Sequence, residues 1–348
     1  MISLTNIMSQ TLTAGVRYFN FKESYYLFEG GVYGVVNHVP VTETTSLSSN
    51  GFNPRFNVSY RFNDDFMVYA EAAKGFRYGG ANQPVIQQAI PTPPPANLTL
   101  AQQCTQQLAN YGYSSAPETF GPDHLWSYTV GEKARIAGGR ATVNVDAYYV
   151  DWQDVQSRLL LNCSYFFTDN KGAIRAEGVE AETTIRLTPE FTVSGSAAFN
   201  DSQANGNIPT VGAFNGDFSP YSPRWTARIA AYYDSSLGQG TVHAQASYQY
   251  RSDMHTTFNP LSTTIVNGQL IATGPNPGFA VIPASNNVSA SIAYDIGRYE
   301  FGIFGNNLTD GVKVTDVGRA TYYKVYQAGD RVTYARPRTI GARIKVKF

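Results

Sequence analysis

Strict alternation of apolar and polar residues over ten or more positions limits what this chain can fold into. The segment 240–251 carries small or aromatic residues at every even position and polar residues at every odd one. Successive side chains of a β-strand point to opposite faces, so this pattern predicts a strand with one apolar and one polar face. The same alternation recurs in residues 142–149, 178–187, 191–200, 224–233, 287–296 and 339–348.

The pattern predicts about twelve strands, and most of them are long. They are expected at 10–22, 51–62, 65–76, 124–136, 140–154, 174–187, 190–201, 221–234, 240–251, 285–296, 298–308 and 336–348. Strands of about ten residues cross a bilayer at a tilt, whereas strands of soluble proteins are mostly about five or six residues long. A soluble β-sandwich also alternates, but the polar face of these long strands carries Arg, Glu, Asp and His deep within the strands, as expected if it met water or a filled lumen.

Short and long connections alternate along the chain. The short ones are 62–65, 137–140, 188–190, 235–240 and 296–298, and the long ones are 23–50, 77–122, 155–173, 202–220, 252–284 and 310–335. Short turns on one side and long loops on the other are typical of outer-membrane barrels. The sequence therefore predicts an all-β, transmembrane antiparallel barrel segment with short periplasmic turns and long extracellular loops.

Composition excludes several other classes of protein. The net charge is zero and charged residues make up 15% of the chain, which gives no indication of a nucleic-acid partner. No apolar run approaches the length of a transmembrane helix. Aromatic residues reach 14%, as expected for strands and interface girdles. The start of the chain has no basic and then apolar leader, so we expect either that a leader was removed or that a longer protein precedes residue 1.

One residue breaks the alternation. Glu132 falls on the apolar face of the strand predicted at 124–136, where a carboxylate facing lipid is unfavourable. Lys133 cannot pair with it, because neighbours along a strand point to opposite faces. A local bulge would turn Glu132 inward.

Five stretches of the chain carry a family resemblance: "GFNPRFNVSYRFNDDFMVYAEAAKGFRYGGANQP" (51–84), "LWSYTVGEKARIAGGRATVNVDAYYVDWQDVQ" (125–156), "CSYFFTDNKGAIRAEGVEAETTIRL" (163–187), "FGIFGNNLTD" (301–310) and "ARPRTIGARIKVKF" (335–348). In these five stretches the chain resembles the C-terminal part of the barrel of a TonB-dependent outer-membrane receptor. The short pieces are weak signals singly; their order along the chain makes the set specific.

The resemblance implies a barrel of about 22 strands with a plug domain inside it. Residues 1–348 then correspond to its C-terminal part, and the plug domain and signal peptide are absent from this chain. The implied function is uptake of a scarce ligand, such as a ferric siderophore, across a Gram-negative outer membrane. Energy would come from the TonB complex through the missing plug, and the lipid and lipopolysaccharide of the outer membrane would surround the barrel. The alternatives are a passive twelve-stranded channel, a barrel enzyme and a truncated fragment that does not transport.

The last strand resembles the recognition signal that the outer-membrane assembly machinery reads in such proteins. The residues concerned are Ile340, Ala342, Ile344, Val346 and the terminal Phe348. A purely lipid-facing role explains the same residues, and the two roles are compatible.

The two cysteines, Cys104 and Cys163, both fall in long loops that the topology places outside the cell. Thiols in that environment tend to be oxidised, so we expect a disulfide that joins loop 77–122 to loop 155–173; two unpaired cysteines are the alternative. The first loop also contains "LTLAQQCTQQLANYG" (98–112), which is compatible with a short helix.

Ligand contacts are expected where strands end in long loops. Arg77, Tyr78 and Asn82 leave the strand predicted at 65–76, and Tyr165 and Phe166 are expected across the mouth of the barrel. Loop packing is an equally good explanation of these residues.

The sequence contains no motif for catalysis or for a cofactor. His243 lies on a polar strand face and is interpreted as a wall residue, and His38 and His255, in outer loops, are weak candidates for binding iron or haem. Glu180 and Glu182 share a polar face, where an ion-pair network with Arg186, Arg224 and Arg228 is a better explanation than a glycosidase pair. We therefore expect a transport protein and not an enzyme.

Overall fold

A computed structural model gives the fold of residues 2–7, 9–29, 35–36, 39–85, 87–161, 163, 165–266, 268–318 and 330–348. Twelve long strands account for most of it. They are β1 (Gln10–Glu29), β2 (Val39–Asn63), β3 (Phe66–Arg77), β4 (Asp123–Ile136), β5 (Ala141–Gln153), β6 (Ala173–Arg186), β7 (Phe191–Ala204), β8 (Trp225–Leu237), β9 (Gly240–Arg251), β10 (Ser285–Ile296), β11 (Tyr299–Asn306) and β12 (Thr339–Val346).

Each long strand pairs antiparallel with the next one along the chain, which makes one continuous meander. Ile2–Ile7 pairs with the free side of β1, and Val35–Val36 pairs with the start of β2. These two short strands bring the sheet to 14 strands. Within the described ranges, Ile2–Ile7 and β12 form its two edges and do not pair with each other, so the barrel is not closed.

The predicted alternation of connections is confirmed. Five short connections lie on one side of the sheet, the turn side, at 64–65, 137–140, 187–190, 238–239 and 297–298. Six connections lie on the other side, the loop side, and are named L1 (30–38), L2 (78–122), L3 (154–172), L4 (205–224), L5 (252–284) and L6 (307–338). Gly138 and Gly139, with φ of 66° and 81°, supply the left-handed backbone of the turn between β4 and β5.

The first hairpin is much longer than the sequence predicts. Its ladder is continuous from Gln10 opposite Tyr60 to Glu29 opposite Val41, so most of the loop expected at 23–50 is strand. Residues 42–49, "TETTSLSS", lack apolar alternation and carry no strand signal on a period-two reading. At 20 residues, β1 rises roughly 65 Å, so much of it extends beyond a hydrocarbon core about 30 Å thick.

The two faces of the sheet differ as the alternation predicts. Val130 and Ile303 on the apolar face are 58% and 59% exposed, and nothing in the described chain covers them. On the polar face, Arg55 pairs with Glu71 at 2.7 Å, and the Tyr148 hydroxyl donates to Asn200 at 2.8 Å. Exposed apolar side chains on one face and polar pairs on the other suit a strand between lipid and a wet interior.

Glu132 lies on the apolar face, and no local bulge in the described strands turns it inward. It stands opposite Val68 on β3 and Val145 on β5, and both ladders run without a shift along β4. Glu132 is four residues from the end of β4, which is roughly 14 Å of strand from the turn. Carboxylates on this face cost less toward the interface than at the midplane.

The remaining elements lie outside the twelve strands. They are α1 (Leu100–Asn110), a 3-10 turn (Pro209–Val211) and the short strands Gly80–Ala81, Thr119–Phe120, Gln156–Leu160, Phe166–Asn170, Met254–His255, Leu261–Val266, Gln269–Pro275, Val281–Ile282, Val314–Gly318 and Arg331–Tyr334. In the part of the chain that the structure covers, no helix is long and apolar enough to cross a membrane.

Candidate ligand-binding region

L2 and L3 fold together into one packed body, which we call the L2–L3 unit (residues 78–122 and 154–172). A disulfide joins Cys104 in α1 to Cys163, between the two strands of the L3 hairpin, with their Cα atoms 5.5 Å apart. Around it lies a buried cluster of Leu108, Leu159, Leu161, Tyr165 and Phe167. Loops that carry their own apolar core hold a defined shape on the loop side of the sheet.

Helix α1 forms where the sequence places a start signal before an apolar face. Thr99 accepts a hydrogen bond from the Gln102 backbone amide, and the Gln102 side chain accepts one from the Thr99 backbone amide, which completes a capping box. Cys104 and Leu108 are four residues apart and therefore share the buried face. The helix predicted within 98–112 is thus confirmed.

Asn82 holds the two loops together through main-chain groups. Its amide nitrogen donates to the carbonyls of Pro117 at 3.0 Å and Thr168 at 2.7 Å, and its amide oxygen accepts from the Thr168 backbone amide at 2.7 Å. The Asn82 side chain is buried, and both its amide nitrogen and its amide oxygen are hydrogen-bonded, so it links L2 to L3.

Arg77 is held by the first residue of β4. Its Nε lies 3.1 and 3.0 Å from the two carboxylate oxygens of Asp123, its Nη2 also contacts that carboxylate, and its guanidinium stacks on Trp152 at 4.6 Å. Asp123 is 1% exposed and also accepts from the Gln156 backbone amide at 3.2 Å. This bidentate pair fixes the point at which β3 leaves the sheet and L2 begins.

Two of the residues selected from sequence present accessible rings. Tyr78 is 51% exposed and packs edge-on against Phe21 and Phe76, at 4.7 and 5.1 Å between ring centroids. Phe166 is partly exposed and lies under the Arg158 guanidinium at 4.4 Å. Tyr165, by contrast, is buried in the cluster around the disulfide.

The structure places the two predicted groups of ligand residues in one body, not across the mouth from each other. Asn82 bonds directly to Thr168, two residues beyond Phe166. The expectation of opposite sides is therefore wrong, because L2 and L3 flank one strand pair, β4 and β5, and pack side by side.

Tyr113 connects the cluster to the L3 hairpin. Its hydroxyl donates to Asp169, and its ring packs edge-on against Phe167 at 5.1 Å. Burial, reinforced by the hydrogen bond to Asp169 and by its charge, raises the pKa of Tyr113 well above its usual value.

Further contacts extend from the L2–L3 unit to the next loops. Ser157 in L3 hydrogen-bonds Thr210 in L4 at 2.5 Å. The Asn259 amide of L5 donates to the Gly212 carbonyl and the Asp217 carboxylate of L4 at 2.7 and 2.8 Å. Tyr221 of L4 donates to Asp316 of L6 at 3.0 Å. L2 to L6 thus form a connected layer.

A cavity of about 490 Å³ lies on the polar face near the loop side, and we call it the polar-face cavity. Its polar-face lining is Glu180, Glu182, Ser196, Ala198, Thr226, Arg228, Gln249, Arg251, Ser285, Asn287 and Lys313. Arg228 and Arg251 follow from strand alternation, but no sequence signal brings Lys313 of L6 to them. This volume falls within the range of small-molecule sites.

The ion-pair network expected for Glu180 and Glu182 is wrong. No ion pair joins either carboxylate to Arg186, Arg224 or Arg228 in the described structure. Glu182 and Arg228 both stand opposite Ser196, so β7 separates them. Arg224 lies just before β8, so strand alternation does not set the direction of its side chain. It pairs with Asp201 at 3.3 Å.

The described histidines are not grouped into a metal centre. His243 lies 2.5 Å from Asp234 and 3.8 Å from Asp295, near the turn side of the polar face. His255 packs against Phe279 at 5.0 Å, and His38 lies outside the described residues. Across the described ranges, no group of three or more His, Cys, Asp or Glu residues is arranged to hold a metal ion.

These features define a class: an antiparallel membrane sheet with apolar and polar faces, short turns on one side and packed loops on the other. The chain belongs to the TonB-dependent receptor-like β-barrel family, whose model matches residues 2–308.

Solved structures similar to this chain include iron-uptake receptors. The ferric yersiniabactin uptake receptor FyuA from Yersinia pestis matches 98% of this chain and 43% of its own, at 17% identity and a TM-score of 0.69. The closed form of the ferric-catecholate import receptor Fiu from E. coli K12 matches 99% and 43%, at 19% identity and 0.64. The siderophore receptor PiuA from Acinetobacter baumannii matches 98% and 41%, at 14% identity and 0.62. The chain therefore spans about two fifths of the length of these receptors.

Proposed function

We propose that this chain forms the C-terminal strands and outer loops of a receptor that imports a ferric siderophore across a Gram-negative outer membrane. The family match over residues 2–308 carries the proposal. FyuA, Fiu and PiuA are receptors for siderophores or ferric complexes, and their similarity to this chain supports the substrate class. Energy would come from the TonB complex through a plug domain supplied by the rest of the receptor.

Tyr78 and Phe166 are the residues that we propose as direct ligand contacts in the L2–L3 unit. Both keep accessible rings at the loop side, which suits stacking on a planar or aromatic ligand. Arg77, Asn82, Tyr165 and the disulfide of Cys104 and Cys163 would support them by fixing the loops, since their own polar or apolar groups are already engaged.

The final strand would serve assembly. Ile340 and Ile344 are exposed on the apolar face, and Phe348 extends past the end of β12. We propose that Ile340, Ala342, Ile344, Val346 and Phe348 are read by the outer-membrane assembly machinery, and that lipid and lipopolysaccharide surround the apolar face afterwards.

Uptake of radioactive iron tests the proposal. Cells that depend on this receptor should accumulate iron presented as a ferric siderophore, and accumulation should stop when TonB is deleted. A passive channel would keep transporting without TonB, and a non-transporting fragment would accumulate nothing in either strain. Deletion of Phe348 should lower the amount of receptor in the outer membrane while leaving transport per assembled molecule unchanged.

A further inference from the structure

The polar-face cavity contains three cations from three different elements. Arg228 lies on β8, Arg251 on β9, and Lys313 in L6 donates to Asn287 on β10. Arg251 stands opposite Thr226, two positions from Arg228, so the two guanidinium groups occupy diagonal positions on neighbouring strands. Such positions are about 7–8 Å apart, close enough for like charges to repel.

None of the three cations has a carboxylate within ion-pair distance in the described parts of the chain. Lys313 bonds to a neutral amide, and burial lowers the pKa of its amine. One terminal nitrogen of Arg251 donates to the Pro283 carbonyl at 3.0 Å. The other, Nη1, is shielded from solvent and has no partner among the described residues. A shielded guanidinium nitrogen without an acceptor is unfavourable unless an anion or water satisfies it.

The carboxylates of the cavity are set apart from these cations. Glu182, Ser196 and Arg228 are successive cross-strand partners, and so are Glu180, Ala198, Thr226 and Arg251. With strands about 4.8 Å apart, Glu182 and Arg228 are separated by roughly 10 Å of backbone, and Glu180 and Arg251 by roughly 14 Å. The small side chains of Ser196 and Ala198 lie between, so the cavity has an acidic wall and a basic wall.

Two cations elsewhere on the polar face each have a carboxylate partner. Arg55 lies 2.7 Å from Glu71, and Arg343 lies 2.7 Å from Glu300. The basic wall, formed by Arg228, Arg251 and Lys313, differs from them because its three cations line one cavity without a carboxylate partner among the described residues, which leaves positive charge available to a ligand. Arg251 and Ser285 are the loop-side ends of β9 and β10, so this wall lies at the side from which an external ligand would enter.

We propose that Arg228, Arg251 and Lys313 bind the anionic oxygens of the ligand, and that the receptor therefore selects negatively charged iron chelates, of catecholate or carboxylate type, over neutral ones. The claim that the ligand contains iron rests on the proposed function. The claim that the site binds an anion does not. Guanidinium groups suit carboxylate and catecholate oxygens because they donate two parallel hydrogen bonds.

Binding of two iron complexes to the purified protein in detergent tests this inference. The probes are a triply negative Fe(III) tricatecholate and a neutral Fe(III) trihydroxamate of similar size, measured by fluorescence quenching at low and high salt. We expect tighter binding of the anionic complex and a preference that weakens with salt. Arg228→Gln and Arg251→Gln should each weaken anionic binding about tenfold and leave neutral binding unchanged, while Arg251→Lys should retain part of the affinity.

Arg55→Gln is the matched control, because it removes a polar-face cation that already has a carboxylate partner. Its anionic binding should equal that of the unaltered protein. Equal affinity for the two complexes, or anionic binding that survives the Arg228→Gln/Arg251→Gln double substitution, would overturn the inference. Either result would mean that the basic wall binds something else, such as a carboxylate of another protein segment.

A third probe separates this inference from the proposed function. Inorganic triphosphate carries negative charge without iron, and its binding can be followed by calorimetry. If neither iron complex binds but triphosphate binds through Arg228 and Arg251, the iron function fails and the anion site stands. If triphosphate also fails to bind, the anion site is wrong.

Discussion

The sheet and the L2–L3 unit are held together in different ways. Among the described residues, the large apolar side chains that are fully buried lie in loops: Phe167, Leu108, Leu161, Ile208 and Ile282. The strands instead present exposed apolar residues such as Val130, Ile229 and Ile303. The sheet depends on main-chain ladders and on lipid to cover its apolar face. The L2–L3 unit depends on an internal core and a disulfide, as a small soluble domain does, and the Arg77–Asp123 pair lies at its base.

Because of this difference, we expect that the outer loops and the sheet can be destabilised separately. Substitutions in the L2–L3 core should loosen the outer loops without disturbing the ladders of β1–β12, because the buried side chains of this core all lie in L2 and L3. Backbone hydrogen exchange in bilayer discs measures the two effects separately, because it reports loops and strands of the same molecule independently.

Loss of the disulfide should have the largest effect. Cys104 and Cys163 are 59 residues apart, so in the chain-entropy model the bond contributes about 4 kcal/mol. Double replacement by Ala should speed exchange in α1 and in the L3 hairpin by several hundredfold and leave β8–β10 unchanged. Reductant should reproduce the effect in the unaltered protein and add nothing to the double variant. Protection of α1 that persists without the bond would contradict this account of the unit.

Leu108→Ala should have the next largest effect. Leu108 is 0% exposed, and truncation of a buried Leu costs about 3 kcal/mol. Leu100→Ala, in the first turn of the same helix, is the matched control because Leu100 is 37% exposed. The control should change exchange in the unit by less than about 0.5 kcal/mol. Equal effects of the two substitutions would mean that the cluster around the disulfide is not the core of the unit.

Asp123→Asn should cost about 2 kcal/mol, because the buried carboxylate loses charged hydrogen bonds from Arg77. Exchange should rise at the base of L2 and at Gln156. Asp65→Asn breaks a similar Arg–Asp pair, with Arg135, that is exposed on the turn side. Such a pair is worth about 0–1 kcal/mol, so Asp65→Asn should leave both regions nearly unchanged. A larger effect of Asp65→Asn than of Asp123→Asn would contradict the conclusion that the Arg77–Asp123 pair is the more stabilising of the two.

Alkaline pH should affect the unit through Tyr113, with no effect near neutral pH. The folded state raises the pKa of Tyr113, so the unfolded loop loses this proton first, near pH 10. The contribution is therefore complete below about pH 10 and falls as the pH rises toward the folded pKa. Tyr113→Phe should remove this part of the alkaline loss of protection, as followed by tyrosinate absorbance and exchange. If Tyr113→Phe left the alkaline loss of protection unchanged, Tyr113 would make no contribution to it.

Sequence reasoning predicted the sheet well because the side-chain period of a strand is readable locally. The alternation in β9 and the turn at Gly138 and Gly139 each follow from a few neighbouring residues. It missed the upper part of the first hairpin, because 42–49 pairs through its main chain and shows no apolar pattern.

The candidate site was less predictable, since it depends on contacts between residues that are distant in sequence. Asn82 and Thr168 are 86 positions apart, and no local pattern distinguishes an Asn that clamps two loops from one that meets a ligand. Lys313 reaches the polar-face cavity through the fold of L6, so its place beside Arg228 and Arg251 required the structure.

A spin-label scan along β9 tests most directly whether the sheet separates lipid from an aqueous interior. Labels at Ala244, Ala246 and Tyr248 in bilayer discs should be reached by oxygen and not by a water-soluble nickel chelate. Labels at Gln245, Ser247 and Gln249 should show the opposite preference, which gives a period of two residues. Uniform access of the nickel chelate to all six positions would contradict a membrane-facing sheet.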